Sequence, residues 1–144
     1  MKFNFTFKEI LHSDTAKIYG INNIPSSVDI YDNILTAILN CYQPVRNYIN
    51  KPMNITSGYR SLLLNVKLGG APNSHHTKGQ AIDFTVTGLT TKQIVDKVIG
   101  SGVQFTQLIE EYGKDGSSWC HLSYDPKDLR KEVLIYKNGV YTKR

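Results

Sequence analysis

Only two cysteines occur in the 144 residues, Cys41 and Cys120, far apart and without C-x-x-C spacing. Such usage does not make a disulfide framework, and it predicts two buried free thiols in a reducing compartment. No apolar run approaches the length of a membrane span, so no membrane insertion is expected. The N-terminus, M-K-F-N-F-T-F-K-E-I, is broken by polar and charged residues too early for a secretory leader. Synthesis in a cytoplasm is the expectation, with no route outward written in the chain. There is no Pro/Gly/Ser-rich linker, internal repeat or low-complexity run, which predicts a single domain over residues 1–144. A dense Lys/Arg block and a recognition-helix motif are also missing. The net charge of +5 therefore suits an anionic partner such as a negatively charged cell wall, and no nucleic-acid partner is expected. A monomer is expected.

What is present is enough for one core, with 40% of residues hydrophobic. Phe3 to Leu11 reads as a short helix or extended arm, and Asp14 to Tyr19 as one or two helical turns ended at Gly20. Ile21 to Pro25 (I-N-N-I-P) is a loop. Ser26, three residues before Asp29, starts a helix whose buried stripe is Ile30, Ile34 and Ile38 with Leu35 and Leu39. Pro44 is expected to kink or end it, with Val45 to Ile49 as a second segment. Pro52 to Tyr59 reads as a strand entering a Gly turn, and Arg60 to Leu68 as a helix through Leu63, Leu64 and Leu68. Thr90 and Gln93 form a capping box ahead of a helix carrying Ile94, Val95, Val98 and Ile99. Gln104 to Tyr112 and Ser118 to Tyr124 pair as a hairpin about Asp115-Gly116. Glu132 to Lys137 is a final strand that turns at Asn138-Gly139 into Val140 and Tyr141. The sum is an α+β fold, a small antiparallel sheet packed with helices mostly from the N-terminal half.

The chemistry concentrates in S-H-H-T-K-G-Q-A-I-D-F, Ser74 to Phe84. Ala81 to Val86 alternates, so Asp83 points to the face opposite Ile82 and Phe84, away from the core. His76 precedes Asp83 by seven residues, and His121 stands downstream in W-C-H-L-S-Y. Two imidazoles and one carboxylate suit a catalytic zinc, which takes three protein ligands and keeps one position open for water. The donor set alone does not exclude other first-row metals. A non-haem iron triad has the same donors but usually one residue between its first His and the acid, where six intervene here. The hairpin also brings Glu111 towards the strand of His121. His12 and His75 read as ordinary surface or structural histidines, His75 adjoining the site.

The motifs S-G-Y-R-S, G-G-A-x-x-S-x-H-x-x-G-x-A-x-D-F, Q-L-I-x-E and W-x-H-x-S-Y together resemble the zinc D-Ala-D-Ala carboxypeptidase family. More narrowly they are similar to the single-domain phage and prophage peptidases that cleave peptidoglycan peptides; hedgehog signalling domains share that fold. The resemblance spans roughly Phe3 to Tyr124. It implies a zinc peptidase acting on peptidoglycan at the bacterial cell wall, with His76, Asp83 and His121 as ligands. The family's substrate-binding arginine falls on Arg60 and its small polar residue before the first ligand on Ser74. Many members carry an acid three residues before the last histidine, where this chain has Ser118. The Q-L-I-x-E pattern assigns the catalytic carboxylate to Glu111 instead, with Asp115 as the rival.

In those roles Glu111 would take a proton from water and return one to the leaving amine. Arg60 offers a planar fork for a substrate carboxylate or for charge developing on the carbonyl oxygen. Ser74 either binds substrate or caps its loop, and Trp119 either lines the cleft or packs in the core, the core being favoured. The missing acid at Ser118 keeps open a second function, a zinc-containing module that binds cell wall without cutting it.

Overall fold

The computed structural model describes residues 2–144. Thr6 and Glu9 close a capping box around α1 (Phe7–Leu11), and Ser13 caps α2 (Asp14–Ile18) by accepting the Ala16 amide. α3 (Val28–Ala37) continues through a π-helical turn (Ile38–Tyr42) into α4 (Gln43–Ile49). Pro44, expected to kink or end this run, does not end it. The wider turn just before it, where the Gln43 amide donates to the Ile38 carbonyl, accommodates the ring and the missing donor. The helix is capped at Ser27 with no side-chain bond, so the pattern read from Ser26 is not formed. Ile34 and Ile38 are buried, whereas Leu35 and Leu39, each 44% exposed, flank the stripe instead of joining the core.

Strands β1 (Asn54–Ser57), β2 (Ala81–Thr85), β3 (Gln107–Tyr112), β4 (Ser118–Ser123), β5 (Glu132–Lys137) and β6 (Val140–Lys143) form one sheet. Their order is β1-β2-β4-β3-β5-β6. Between β1 and β2 lies α5 (Leu62–Lys67), and between β2 and β3 lies α6 (Thr91–Gly100), with the expected Thr90/Gln93 capping box. The six-residue α5 seats Leu64 and Asn65 in the interior; Leu63 and Leu68, read as part of its stripe, face outward.

The sheet is antiparallel except for one pair. β5 runs parallel to β3, with Gln107 opposite Glu132 and Glu111 opposite Tyr136. The reason is topological: β4 already has β2 and β3 as neighbours, so a strand reached by the short loop 124–131 takes the free edge of β3. Entering from the end of β4, which is also the start of β3, it runs in the direction of β3. β3 itself begins at Gln107, three residues later than expected.

One sheet face carries Ile82, Phe84, Leu108, Cys120 and Leu122, all fully buried against α3, α4 and α6. Burial of each large apolar side chain stabilises the fold by about 1.5–3 kcal/mol. Cys41 and Cys120 are free thiols within this core, as expected, and burial raises both thiol pKa values. Among the described residues, no helix is long and apolar enough to cross a membrane. The opposite face of the sheet is left to polar chemistry.

Candidate metal centre and cleft

β2 places Asp83 directly across from His121 on β4. Opposed residues of paired strands project to the same side, so both leave the core face together. His76 arrives from a 3-10 turn (His75–Lys78). Gly79 ends that turn at φ +71°, where an L side chain is strained, and a Cβ there would stand 2.8 Å from the Ile30 carbonyl and from Ile34 Cγ1. Ser74 caps the turn by accepting the His76 amide at 3.2 Å.

The three residues are buried and each offers a ligand atom within 4.8 Å of the others. Asp83 Oδ1 lies 2.9 Å from His121 Nδ1 and 3.3 Å from His76 Nε2. His76 Nδ1 lies 2.7 Å from the Gly58 carbonyl, which only accepts, so the ring donates there and its Nε2 carries the lone pair. That orientation fits a metal. Burial works against the Asp83 charge, but the adjacent His76 and the hydrogen bond from His121 Nδ1 hold its carboxyl far below the usual range.

S-G-Y-R holds this histidine in place. A Cβ on Gly58 would stand 2.3 Å from the Ile10 carbonyl, so only glycine lets the chain pass there. The Tyr59 amide donates to the same Ile10 oxygen at 2.9 Å, and the Arg60 amide donates to the His76 carbonyl at 3.0 Å. We expect Gly58→Ala to lower stability by about 1–3 kcal/mol through overpacking against backbone. Displacing the carbonyl that orients His76 should also weaken metal binding about 10–100-fold. Urea unfolding and a metal titration with a competing chelator check the two effects.

Arg60 donates from Nη2 to Asp83 Oδ2 at 3.2 Å and from Nε to Ser57 Oγ at 2.9 Å. A buried Asn65 accepts from its Nη1 at 3.4 Å and donates to the Ala71 carbonyl at 2.8 Å, tying the arginine to the loop before His76. Glu111 lines the same cleft, with Oε1 3.9 Å from His121 Nδ1. Burial raises its carboxyl pKa and the Asp83 charge adds to that; His121 and Arg60 pull the other way. Ser74 and His75 line the cleft too.

Asp115 does not join the cleft: it sits exposed at the hairpin tip, accepting from the Ser117 amide and hydroxyl. Ser118 accepts from the Thr91 hydroxyl at 2.8 Å, on the α6 side. His12 pairs with Asp14 at an exposed site beside an adjoining hollow. Of the two places open to Trp119 the structure takes the cleft and not the favoured core, because its position opposite Glu111 puts it on the ligand face. Its buried indole N–H has no hydrogen-bond partner. Tyr136 and Tyr141, assigned no role from sequence, are also cleft residues. The alternation of β5 and the Asn138-Gly139 turn carried that signal, since a two-residue turn pairs Tyr136 with Tyr141.

Comparison with known proteins adds to this geometry. The family described as Peptidase M15 matches residues 3–122. The peptidoglycan L,D-endopeptidase MepK of Escherichia coli strain K12 is 45% identical over 49 residues, 31% of this chain and 27% of that protein. The MepK proteins of Escherichia coli O157:H7 and Shigella flexneri give the same values. The chain thus aligns with 27% of the length of the curated relatives it matches.

Proposed function

The chain belongs to the peptidase M15 family, and on that premise we propose that it is a zinc-dependent peptidase that hydrolyses peptidoglycan stem peptides at the bacterial cell wall. One observation carries the reading: His76, Asp83 and His121 converge with ligand atoms within 4.8 Å, and a carboxylate, Glu111, stands beside them. A peptide bond involving a D-residue is the substrate class, cut as a D,D-carboxypeptidase or as an endopeptidase; the similarity to MepK lends weight to the endopeptidase.

His76, Asp83 and His121 would hold the ion, which supplies Lewis acidity and makes water a competent nucleophile near neutral pH. Glu111 accepts the proton of the attacking water and passes one to the amine that leaves. Its partial burial favours this, because a carboxyl with a raised pKa is better matched to both steps. Arg60, held by Ser57 and Asn65, keeps its guanidinium at the rim, where it meets a substrate carboxylate or the oxygen gaining charge. Ser74 contributes the turn that presents His76 and stands within reach of a bound peptide.

The rival reading, a wall-binding module that does not cut, rested on Ser118. The presence of Glu111 in the cleft weighs against it. Incubation of the zinc-loaded protein with purified muropeptides, followed by mass spectrometry, decides between them. New peptide termini, suppressed by chelator and restored by zinc, are the expected result; bound but intact muropeptides would overturn the enzyme.

A further inference from the structure

The β5–β6 hairpin lies beyond the residues matched by the family, which end at 122. Yet it builds one wall of the cleft. Trp119 is opposite Glu111, Glu111 opposite Tyr136, and Tyr136 opposite Tyr141. These four therefore form one row across four strands on the ligand face. The two tyrosine rings pack with centroids 4.6 Å apart at 45°, and Tyr141 remains 57% exposed. Across the sheet the cleft thus runs from Arg60, past the ligand trio and Glu111, to a pair of aromatic rings.

The hairpin is fixed in place. The C-terminal Arg144 donates from Nε to the buried Glu110 Oε2 at 2.8 Å and from Nη2 to Asp96 Oδ1 at 2.7 Å. Its amide donates to the Val133 carbonyl at 3.1 Å. A wall tied to β3 and α6 in this way is in place before any ligand arrives, which lowers the entropy lost on binding.

We propose that Tyr136 and Tyr141 are specificity-determining residues, a platform for the part of the substrate N-terminal to the cleaved bond. This rests on the peptidase reading above and on the first of its two roles for Arg60, the fork that meets the substrate carboxylate, which sets the C-terminal side towards β1. Two strand spacings separate Glu111 from Tyr141, about 10 Å. An extended peptide covers that in about three residues. Tyr136, one spacing from Glu111, is within reach of about two residues, so the full platform engages peptides with about three residues before the cleaved bond and shorter ones do not reach Tyr141. Aromatic faces take up methyl and sugar C–H surfaces, which the first residues and the attached muramic acid of a stem peptide present.

The test uses a synthetic stem pentapeptide and its N-terminally truncated forms with the zinc-loaded full chain. Kinetics are followed by chromatography, and binding is followed by calorimetry on the Glu111→Gln background. For Tyr136→Ala/Tyr141→Ala, the ratio of kcat/KM for the pentapeptide over the shortest cleaved form should fall about tenfold, mostly through KM. Tyr136→Phe/Tyr141→Phe should restore it, since the rings and not the hydroxyls make the contact. An equal loss at every length, or no loss, overturns the platform while leaving the peptidase reading intact. A wild-type chain that binds the pentapeptide with the same length-dependent loss but never cuts it overturns the peptidase reading alone. A chain that neither binds nor cuts any of the peptides overturns both.

Discussion

Glu111→Gln is expected to lower kcat on a muropeptide substrate by about a hundredfold to ten-thousandfold while the protein still binds zinc with full stoichiometry. The amide keeps the shape of the carboxyl, and Glu111 is not one of the three converging ligands, so the fold and the metal site survive. What disappears is, among the described residues, the only carboxylate lining this cleft besides Asp83. Asp115 cannot substitute, because it is held at the exposed hairpin tip by Ser117. In the wild type, a deprotonated Glu111 is the active form, so the rate should fall as pH drops through its raised pKa. That acid limb should be missing from the residual rate of Glu111→Gln. Stopped assays across pH, with metal content read by atomic emission, check both statements. Near-normal turnover in the variant would remove Glu111 from the mechanism.

The site was legible in the sequence to an unequal degree, and the physical reasons differ by residue. Asp83 and His121 follow from alternation, because a period of two assigns a face wherever one face is apolar, and Ile82, Phe84, Cys120 and Leu122 fix that face. The hairpin brought Glu111 to the strand of His121 but not to its face: a two-residue turn at Asp115-Gly116 would set Glu111 opposite Cys120, whereas the loop closes with the Gly113 amide on the Ser117 carbonyl and Glu111 stands opposite Trp119. The same register contradicts a core role for Trp119, which shows that hydrophobicity is a weaker guide than strand parity. By contrast, the braces of the site are contacts between distant segments. Asn23, read only as loop, donates to the carbonyls of Leu11 and Tyr59 and accepts the Ser61 amide, locking the S-G-Y-R segment. Nothing local in I-N-N-I-P announces those partners. The parallel β3–β5 pairing is hidden for a similar reason, since it follows from which sheet edge is already filled. Pro44 misleads in the opposite way: a strong local rule is overridden by a single wider helical turn.

Asp83→Asn is expected to have the broadest consequences, because one carboxylate serves three partners at once. Its Oδ1 faces both histidines, and its Oδ2 accepts from Arg60 at 3.2 Å, all four side chains being largely buried. Replacing it with an amide keeps the volume but removes the negative charge paired with the Arg60 guanidinium. Breaking a buried pair by deleting one member leaves the other charge uncompensated, at a cost of about 3–5 kcal/mol. Metal affinity should fall by more than about a hundredfold, since even loss of a group that merely orients a ligand costs about 10–100-fold. The two effects separate experimentally. Urea unfolding of the metal-free proteins isolates the ion-pair contribution, because no ligand stabilises either form. A zinc titration against a competing chelator then isolates the donor. Unchanged metal-free stability would mean that Arg60 is solvated in solution and not held by Asp83; unchanged zinc affinity would mean that the metal centre lies elsewhere.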